Sequence, residues 1–156
     1  MEKLKVLFLD RDGVINEDFG YVHRVEDFKF RLGIFGLCRF FAARGFSIIV
    51  ITNQSGIARG MFTEEDFARL TAYMVGEFKK NGIDILDVLH CPDKDDTPMR
   101  KPNPGMFLQA ISKYGVDVDR SVNIGDKRRD LEAGFKAGIV NNLYIDDALQ
   151  MLGFAV

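Results

Sequence analysis

Tryptophan is missing from this 156-residue chain, and only two cysteines are present. Cys38 and Cys91 have no framework spacing, which excludes a disulfide-stapled secreted scaffold and fits a reducing compartment. Fourteen phenylalanines supply the aromatic core that tryptophan does not. No apolar run approaches the length that spans a bilayer. Met1–Lys5 leads straight into a short strand-like run, with no secretory apolar segment, so a cytoplasmic protein without membrane contact is expected. Long basic runs are missing too. Net charge is −2, and the cluster Lys127-Arg128-Arg129 is followed at once by Asp130. A nucleic-acid partner needs a stronger basic footprint, whereas a small anionic substrate needs only a few local cations. No repeat, linker or low-complexity segment is visible, and the length suits one domain over 1–156.

What is present is an alternation. Val6–Leu9, Phe46–Ile51, Leu86–Leu89, Ser121–Ile124 and, more weakly, Asn142–Ile145 read as short buried strands. Helical stripes lie between them: Ile34, Leu37, Cys38 and Phe41; then Phe67, Leu70, Met74 and Phe78; then Phe107, Ala110, Ile111 and Tyr114. Thr63 suits a helix N-cap with acidic residues behind it. Pro104 suits a first helical turn, and a further helix is expected from about Arg129 to Ala137. Cys38 falls on an apolar stripe and reads as core filler. The expected fold is therefore α/β: a Rossmann-like three-layer α/β/α arrangement with a mainly parallel sheet.

Such sheets bind ligands at the carboxyl ends of their strands, and the polar signals sit there. The first strand ends in Asp10-Arg11-Asp12-Gly13 and the second in Thr52-Asn53-Gln54-Ser55. Arg100-Lys101-Pro102 follows the third. The fourth ends in Gly125-Asp126-Lys127, with Asp130 four residues on. Side chains at i and i+2 of an extended segment project to one side, so Asp10 and Asp12 can face one substrate. That pair suits phosphoryl transfer. Asp10 would attack phosphorus as nucleophile, and Asp12 would donate and then accept the proton. An oxygen-only cluster suits Mg²⁺, with Asp10, Asp126 and the backbone carbonyl of Asp12 as ligands. Thr52 would hydrogen-bond the phosphoryl oxygens, and Lys101 would supply fixed positive charge.

Singly, each signal has an ordinary structural explanation. Acidic pairs near turns are commonly solvated, a Thr after a strand is often a turn residue, and Asp126 could cap the following helix. Arg100-Lys101 alone would be a solvated loop. The argument rests on all four occurring in order, each at a strand end.

The combination resembles the haloacid dehalogenase superfamily of aspartate-nucleophile phosphatases. Its four motifs match Phe8–Gly13, Thr52, Lys101, and Gly125-Asp126 with Asp130. The longer strings Asp10–Asn16, Gly20–His23, Thr52–Gly60 and Arg100–Met106 resemble the D-glycero-D-manno-heptose 1,7-bisphosphate phosphatase branch, to which histidinol-phosphate phosphatases are close. The resemblance implies that there is no large cap domain. It also implies a phosphorylated small metabolite as substrate. Asp18, Tyr21, Asn53, Gln54, Ser55 and Arg100 would contact the sugar or its second phosphate, and Lys127 would approach the substrate phosphate. Arg59 reads equally well as a solvated loop residue. The branch usually carries a zinc loop of Cys-x-His and Cys-x-Cys. Here the first half reads Cys91-Pro92-Asp93 and no second pair precedes Arg100, so structural zinc is not expected. The final strand and helix of the branch look reduced, and a monomer is expected.

Three alternatives stay open at this point. One is a histidinol-phosphate or other small-ester phosphatase. Another is a phospho-receiver signalling module, although its acceptor Asp would end the third strand, where this chain has Leu89-His90-Cys91. The last is a non-catalytic relative.

Overall fold

The computed structural model describes residues 2–154. Five strands form one parallel sheet: β1 (Val6–Leu9), β2 (Ser47–Asn53), β3 (Asp87–Cys91), β4 (Val122–Gly125) and β5 (Asn141–Tyr144). Their order is β3-β2-β1-β4-β5, so β1 is central and the chain reverses direction across the sheet after β3. Ligand sites of parallel sheets form at such a reversal. Here it sets the end of β1 directly beside the ends of β2 and β4.

Alternation along β1 and β2 divides the core between the two faces of the sheet. Leu7, Leu9, Ile48 and Val50 pack against α1 (Ile34–Ala42), α2 (Glu64–Lys80) and α5 (Ile145–Met151). Val6, Phe8, Ile49 and Ile51 pack against α3 (Gly105–Tyr114) and α4 (Arg128–Lys136). Phe8 meets Phe107 edge-on, with ring centroids 5.2 Å apart, and so ties α3 to the middle of the sheet. Burial on both faces explains why the central strands read as continuous apolar runs.

Helix starts follow local chemistry. Thr63 caps α2 as expected: its hydroxyl accepts from Asp66 N–H at 3.1 Å, while the Asp66 carboxylate accepts from Thr63 N–H at 2.9 Å. That reciprocal box is worth about 1 kcal/mol. Pro104 is the N-cap of α3 rather than its first residue, and α4 begins one residue before the expected Arg129.

Strand boundaries also differ from the sequence reading, by one or two residues at most ends. Strand β3 excludes Leu86, which is 41% exposed, and runs on to Cys91. Pairing with β2 carries it that far, to Thr52 and Asn53. Ile145 opens α5 instead of closing β5. The helix itself was not expected. Its buried stripe is Ile145, Ala148 and Leu149, too short a signal to stand out. Among the described residues no cap lobe interrupts the sheet. The long connection after β1 holds only a 3-10 turn (Val25–Asp27), and among the described residues no helix is long and apolar enough to cross a membrane.

Candidate active site

Asp10 follows the last residue of β1, and its N–H donates to Ile124 of β4 at 3.1 Å. Lys101 reaches it from the β3–α3 connection. The ammonium has three donors and three partners: Asp10 Oδ1 at 3.1 Å, Asp130 Oδ1 at 2.8 Å and the Ile51 carbonyl at 2.8 Å. Its side chain is 2% exposed. Asn53 fixes this loop reciprocally, donating to the Lys101 carbonyl and accepting from Lys101 N–H, both at 3.0 Å.

Asp130 is the residue whose role the sequence hid. Its Oδ2 accepts from the N–H groups of Asp126 and Lys127 at 3.1 and 3.0 Å, while Oδ1 meets Lys101. One carboxylate thus caps α4 and braces the lysine. Gly125 permits this approach, because a Cβ there would overlap the Asp130 side chain. Gly13 is required on two counts. Its φ is +89°, and a Cβ would overlap the Asp126 carboxylate.

Oxygens of Asp10, Asp126 and Asp130 lie within 4.8 Å of one another. Burial first, then the neighbouring Asp130, Asp126 and Asp12 charges, holds the Asp10 carboxyl well above its ordinary value against the pull of Lys101. Burial and Asp130 likewise push Asp126 up. Burial would also raise Asp130, but Lys101 and the N–H donors win, and its carboxyl is held low. The three carboxylates and one lysine leave two negative charges, the amount one divalent cation balances. Asp126 Oδ1 is buried without a hydrogen-bond partner. These residues therefore fit a hard, oxygen-liganded ion such as Mg²⁺. Asp10 and Asp126 have acceptors to offer it, whereas both Asp130 oxygens are engaged.

The side chain of Asp12 is engaged by its neighbours. Oδ1 accepts from Arg11 Nε at 3.2 Å and Asn16 Nδ2 at 3.0 Å; Oδ2 accepts from Gln54 Nε2 at 2.9 Å. Only its backbone carbonyl is left for a metal. Arg11 reads as a spacer in the sequence, yet it is 1% exposed and also donates to the Val22 carbonyl at 2.7 Å. The i, i+2 geometry did bring Asp10 and Asp12 to one cavity.

That cavity, of about 350 Å³, is lined by Asp10, Asp12, Asp18, Tyr21, Asn53, Gln54, Ser55, Arg100, Lys101 and Lys127. It also takes in Arg59, Arg129 and Asp130. Two of the expected residues sit elsewhere. Thr52 is buried beneath it, with its hydroxyl accepting from Gln54 Nε2 at 2.9 Å. Asp126 faces the adjoining cleft beside Gly13 and Arg31. Asp18 forms a turn with Gly20 N–H at 3.0 Å, which presents Tyr21 in a left-handed conformation at φ +50°. Arg100 is steadied by the Asp93 carbonyl at 3.1 Å. At the position of the expected zinc half-site, Asp93 Oδ2 accepts from Thr97 Oγ1 at 2.9 Å and from Cys91 Sγ at 3.5 Å.

The chain is similar to known proteins in sequence and in fold. A HAD-hydrolase-like family model matches residues 98–146, the stretch that carries Lys101, Asp126 and Asp130. The chain is 47% identical over 145 residues to D-glycero-alpha-D-manno-heptose-1,7-bisphosphate 7-phosphatase of Campylobacter jejuni, covering 93% of this chain and 84% of that one. It is 40% identical to the beta-named 7-phosphatase of Haemophilus influenzae, covering 90% and 81%. In structure it is similar to the D,D-heptose 1,7-bisphosphate phosphatase of B. bronchiseptica complexed with magnesium and phosphate. The TM-score is 0.83 at 28% identity, covering 97% of this chain and 89% of that one. With that likeness running through almost its whole length, the chain belongs to the haloacid dehalogenase superfamily of phosphatases, in its heptose 1,7-bisphosphate phosphatase branch.

Proposed function

We propose that this protein removes the 7-phosphate of D-glycero-D-manno-heptose 1,7-bisphosphate through an aspartyl-phosphate on Asp10. The observation that carries the reading is the seating of Asp10. Lys101 holds Oδ1 at 3.1 Å, which leaves the other oxygen for in-line attack. As the Asp10–phosphorus bond forms, the ester bond breaks and Asp12 gives its proton to the departing sugar oxygen. Asp12 then takes a proton from the water that attacks the phosphoenzyme, freeing inorganic phosphate and restoring Asp10. Arg11, Asn16 and Gln54 hold Asp12 in one orientation for both steps. Lys101 stays fully hydrogen-bonded and acts as a fixed charge rather than a moving donor. Thr52 acts from below, by setting the Gln54 amide that orients Asp12.

Asp10, Asp126 and the Asp12 carbonyl would hold Mg²⁺, whose charge lets a carboxylate and a phosphate ester approach each other. Structural zinc has no part in this reading, because the Cys91–Asp93–Thr97 hydrogen bonds close the loop that precedes Arg100. Asp18, Tyr21, Asn53, Gln54 and Ser55 form the sugar side of the cavity, with Lys127 and Arg100 as phosphate contacts. Both core clusters share one sheet, which supports a single domain over 1–156. Buried, unpaired Cys38 and Cys91 support a cytoplasmic setting. A monomer acting on a diffusible metabolite, without nucleic acid or membrane, completes the reading.

The test is phosphate release by purified protein with Mg²⁺, followed by phosphorus NMR. The α and β anomers of the bisphosphate and histidinol phosphate are the substrates. One phosphate per bisphosphate, lost from position 7, is expected. Best turnover on histidinol phosphate, or a stable phosphoprotein without turnover, refutes the proposal.

A further inference from the structure

Four cations other than Lys101 line the catalytic cavity: Arg59, Arg100, Lys127 and Arg129. That exceeds the need of one transferring phosphate, which meets Lys127, the lysine-braced Asp10 and a divalent ion. The three guanidiniums are not equivalent. Arg100 Nε donates to the Asp93 carbonyl at 3.1 Å, and Arg59 Nε donates weakly to Ser55 Oγ at 3.4 Å. Arg129 Nε is buried with no hydrogen-bond partner among the described residues.

Its position sharpens the point. Arg129 is the second residue of α4, at the end where the helix dipole disfavours a cation. Its neighbour Arg128 relieves the same mismatch by pairing with Glu132 at 2.9 Å, outside the cavity. Arg129 has no such carboxylate and turns to the cavity instead. A buried, unsatisfied donor is costly to leave unmade, and an oxygen of a bound anion would satisfy it. Guanidinium also matches phosphate geometry with two donors at once.

We infer that Arg129 is a specificity-determining residue that binds the phosphate of the substrate which is not transferred. The inference rests on the bisphosphate reading above. It adds a contact from α4 to the one expected from Arg100.

The experiment compares kcat/KM for the heptose 1,7-bisphosphate with that for the same sugar carrying only the 7-phosphate. The proteins are the unmodified enzyme, Arg129→Gln, Arg129→Lys and the charge control Arg128→Gln. A charge-assisted hydrogen bond is worth roughly 10- to 100-fold in binding. Arg129→Gln is therefore expected to cut the preference for bisphosphate over monophosphate by about tenfold or more, mainly through KM for the bisphosphate. Arg129→Lys restores part of it, and Arg128→Gln leaves the preference in place. An Arg129→Gln enzyme with its preference intact overturns the inference. So does an equal fall in kcat on both esters, which would place Arg129 on the transferring phosphoryl group. Unmodified enzyme that hydrolyses neither heptose ester sinks the substrate reading and this inference with it. Active enzyme with an unmoved preference sinks the inference alone.

Discussion

Replacing Lys101 by Met tests the electrostatic frame of the site more directly than any change to the nucleophile. Met fills similar space but brings no charge and no donor. Asp10 and Asp130 then lose their shared cation, and the Ile51 carbonyl loses its donor. Removing one partner from a buried ion pair costs about 3–5 kcal/mol, because the other charge is left buried and unpaired. For a chain of this size each kcal/mol moves the melting temperature by about 2–4 °C, so a drop of roughly 6–20 °C is expected without Mg²⁺. The magnitude belongs to the pair, which a double-mutant cycle with Asp130→Asn isolates. Asn at 130 keeps an acceptor for the Asp126 and Lys127 N–H groups but turns an amide donor toward the lysine. Each single change is therefore harmful. The double variant, with neither charge, should recover about 1–3 kcal/mol relative to the sum. Thermal and urea unfolding of the four proteins give the coupling. Additivity within about 0.5 kcal/mol, or a Lys101→Met protein melting within 2 °C of the parent (below the ~6 °C lower bound), would refute the argument.

Other measurements reach different parts of the site. Asp10→Asn should abolish phosphate release while the melting temperature holds or rises, since it removes a carboxylate that burial disfavours; residual turnover above about 1% of the parent would move the nucleophile elsewhere. Mg²⁺ should bind more tightly as pH rises, because protons on the raised Asp10 and Asp126 carboxyls compete with it. The sign follows from those raised values. Without metal, the stability contributed by protonating these groups is present below the unfolded value and lost as pH climbs through the folded one, so Mg²⁺ should raise the melting point most at high pH. Calorimetry showing affinity independent of pH would count against the ligand set. Cys38, pushed up to about 12 by burial, should resist a thiol reagent at pH 8 until the protein unfolds; rapid labelling of the native protein at that site would contradict its packing.

Much of this arrangement is legible in the amino-acid sequence alone. The apolar runs of β1 and β2 and the stripes of α1 and α2 follow from local periodicity, so the parallel sheet and its ligand edge followed too. Asp10 and Asp12 are legible because they sit where β1 releases the chain, and Lys101 because it falls in the connection after β3. What stayed hidden depends on distance in sequence. Arg11 looks like a spacer between two aspartates until Val22 and Gln54 fold over it. Asp130 could be seen near Asp126, but its double duty needs Lys101 to arrive from a loop 29 residues upstream. Thr52 reads as a phosphate contact because it follows the apolar run Phe46–Ile51, whereas its hydroxyl accepts from Gln54. Arg129 lay inside a basic triplet with nothing local to separate it from Arg128. Only the cavity and the Glu132 partner do that.

The division between hidden and legible residues matches a division of labour. In the proposed mechanism, attack on phosphorus depends on Asp10 and Asp126, at the adjoining ends of β1 and β4 in the middle of the sheet, and on Asp130 in the first turn of α4. Lys101 joins them only because Asn53, the last residue of β2, grips its backbone on both sides. Asp10, Lys101 and Asp130 cannot shift without breaking a buried ion pair, nor Asp126 without losing its N–H bond to Asp130. In the same reading, choice of substrate rests instead on Tyr21 and Arg100 on connecting loops and on Arg129 on the first turn of α4. Those residues carry few hydrogen bonds within the protein, so changing them costs little folding energy. The architecture thus allows substrate preference to drift while the aspartyl-phosphate chemistry stays put. It follows that exchanging residues on the cavity rim should move KM across a panel of phosphate esters far more than it moves kcat.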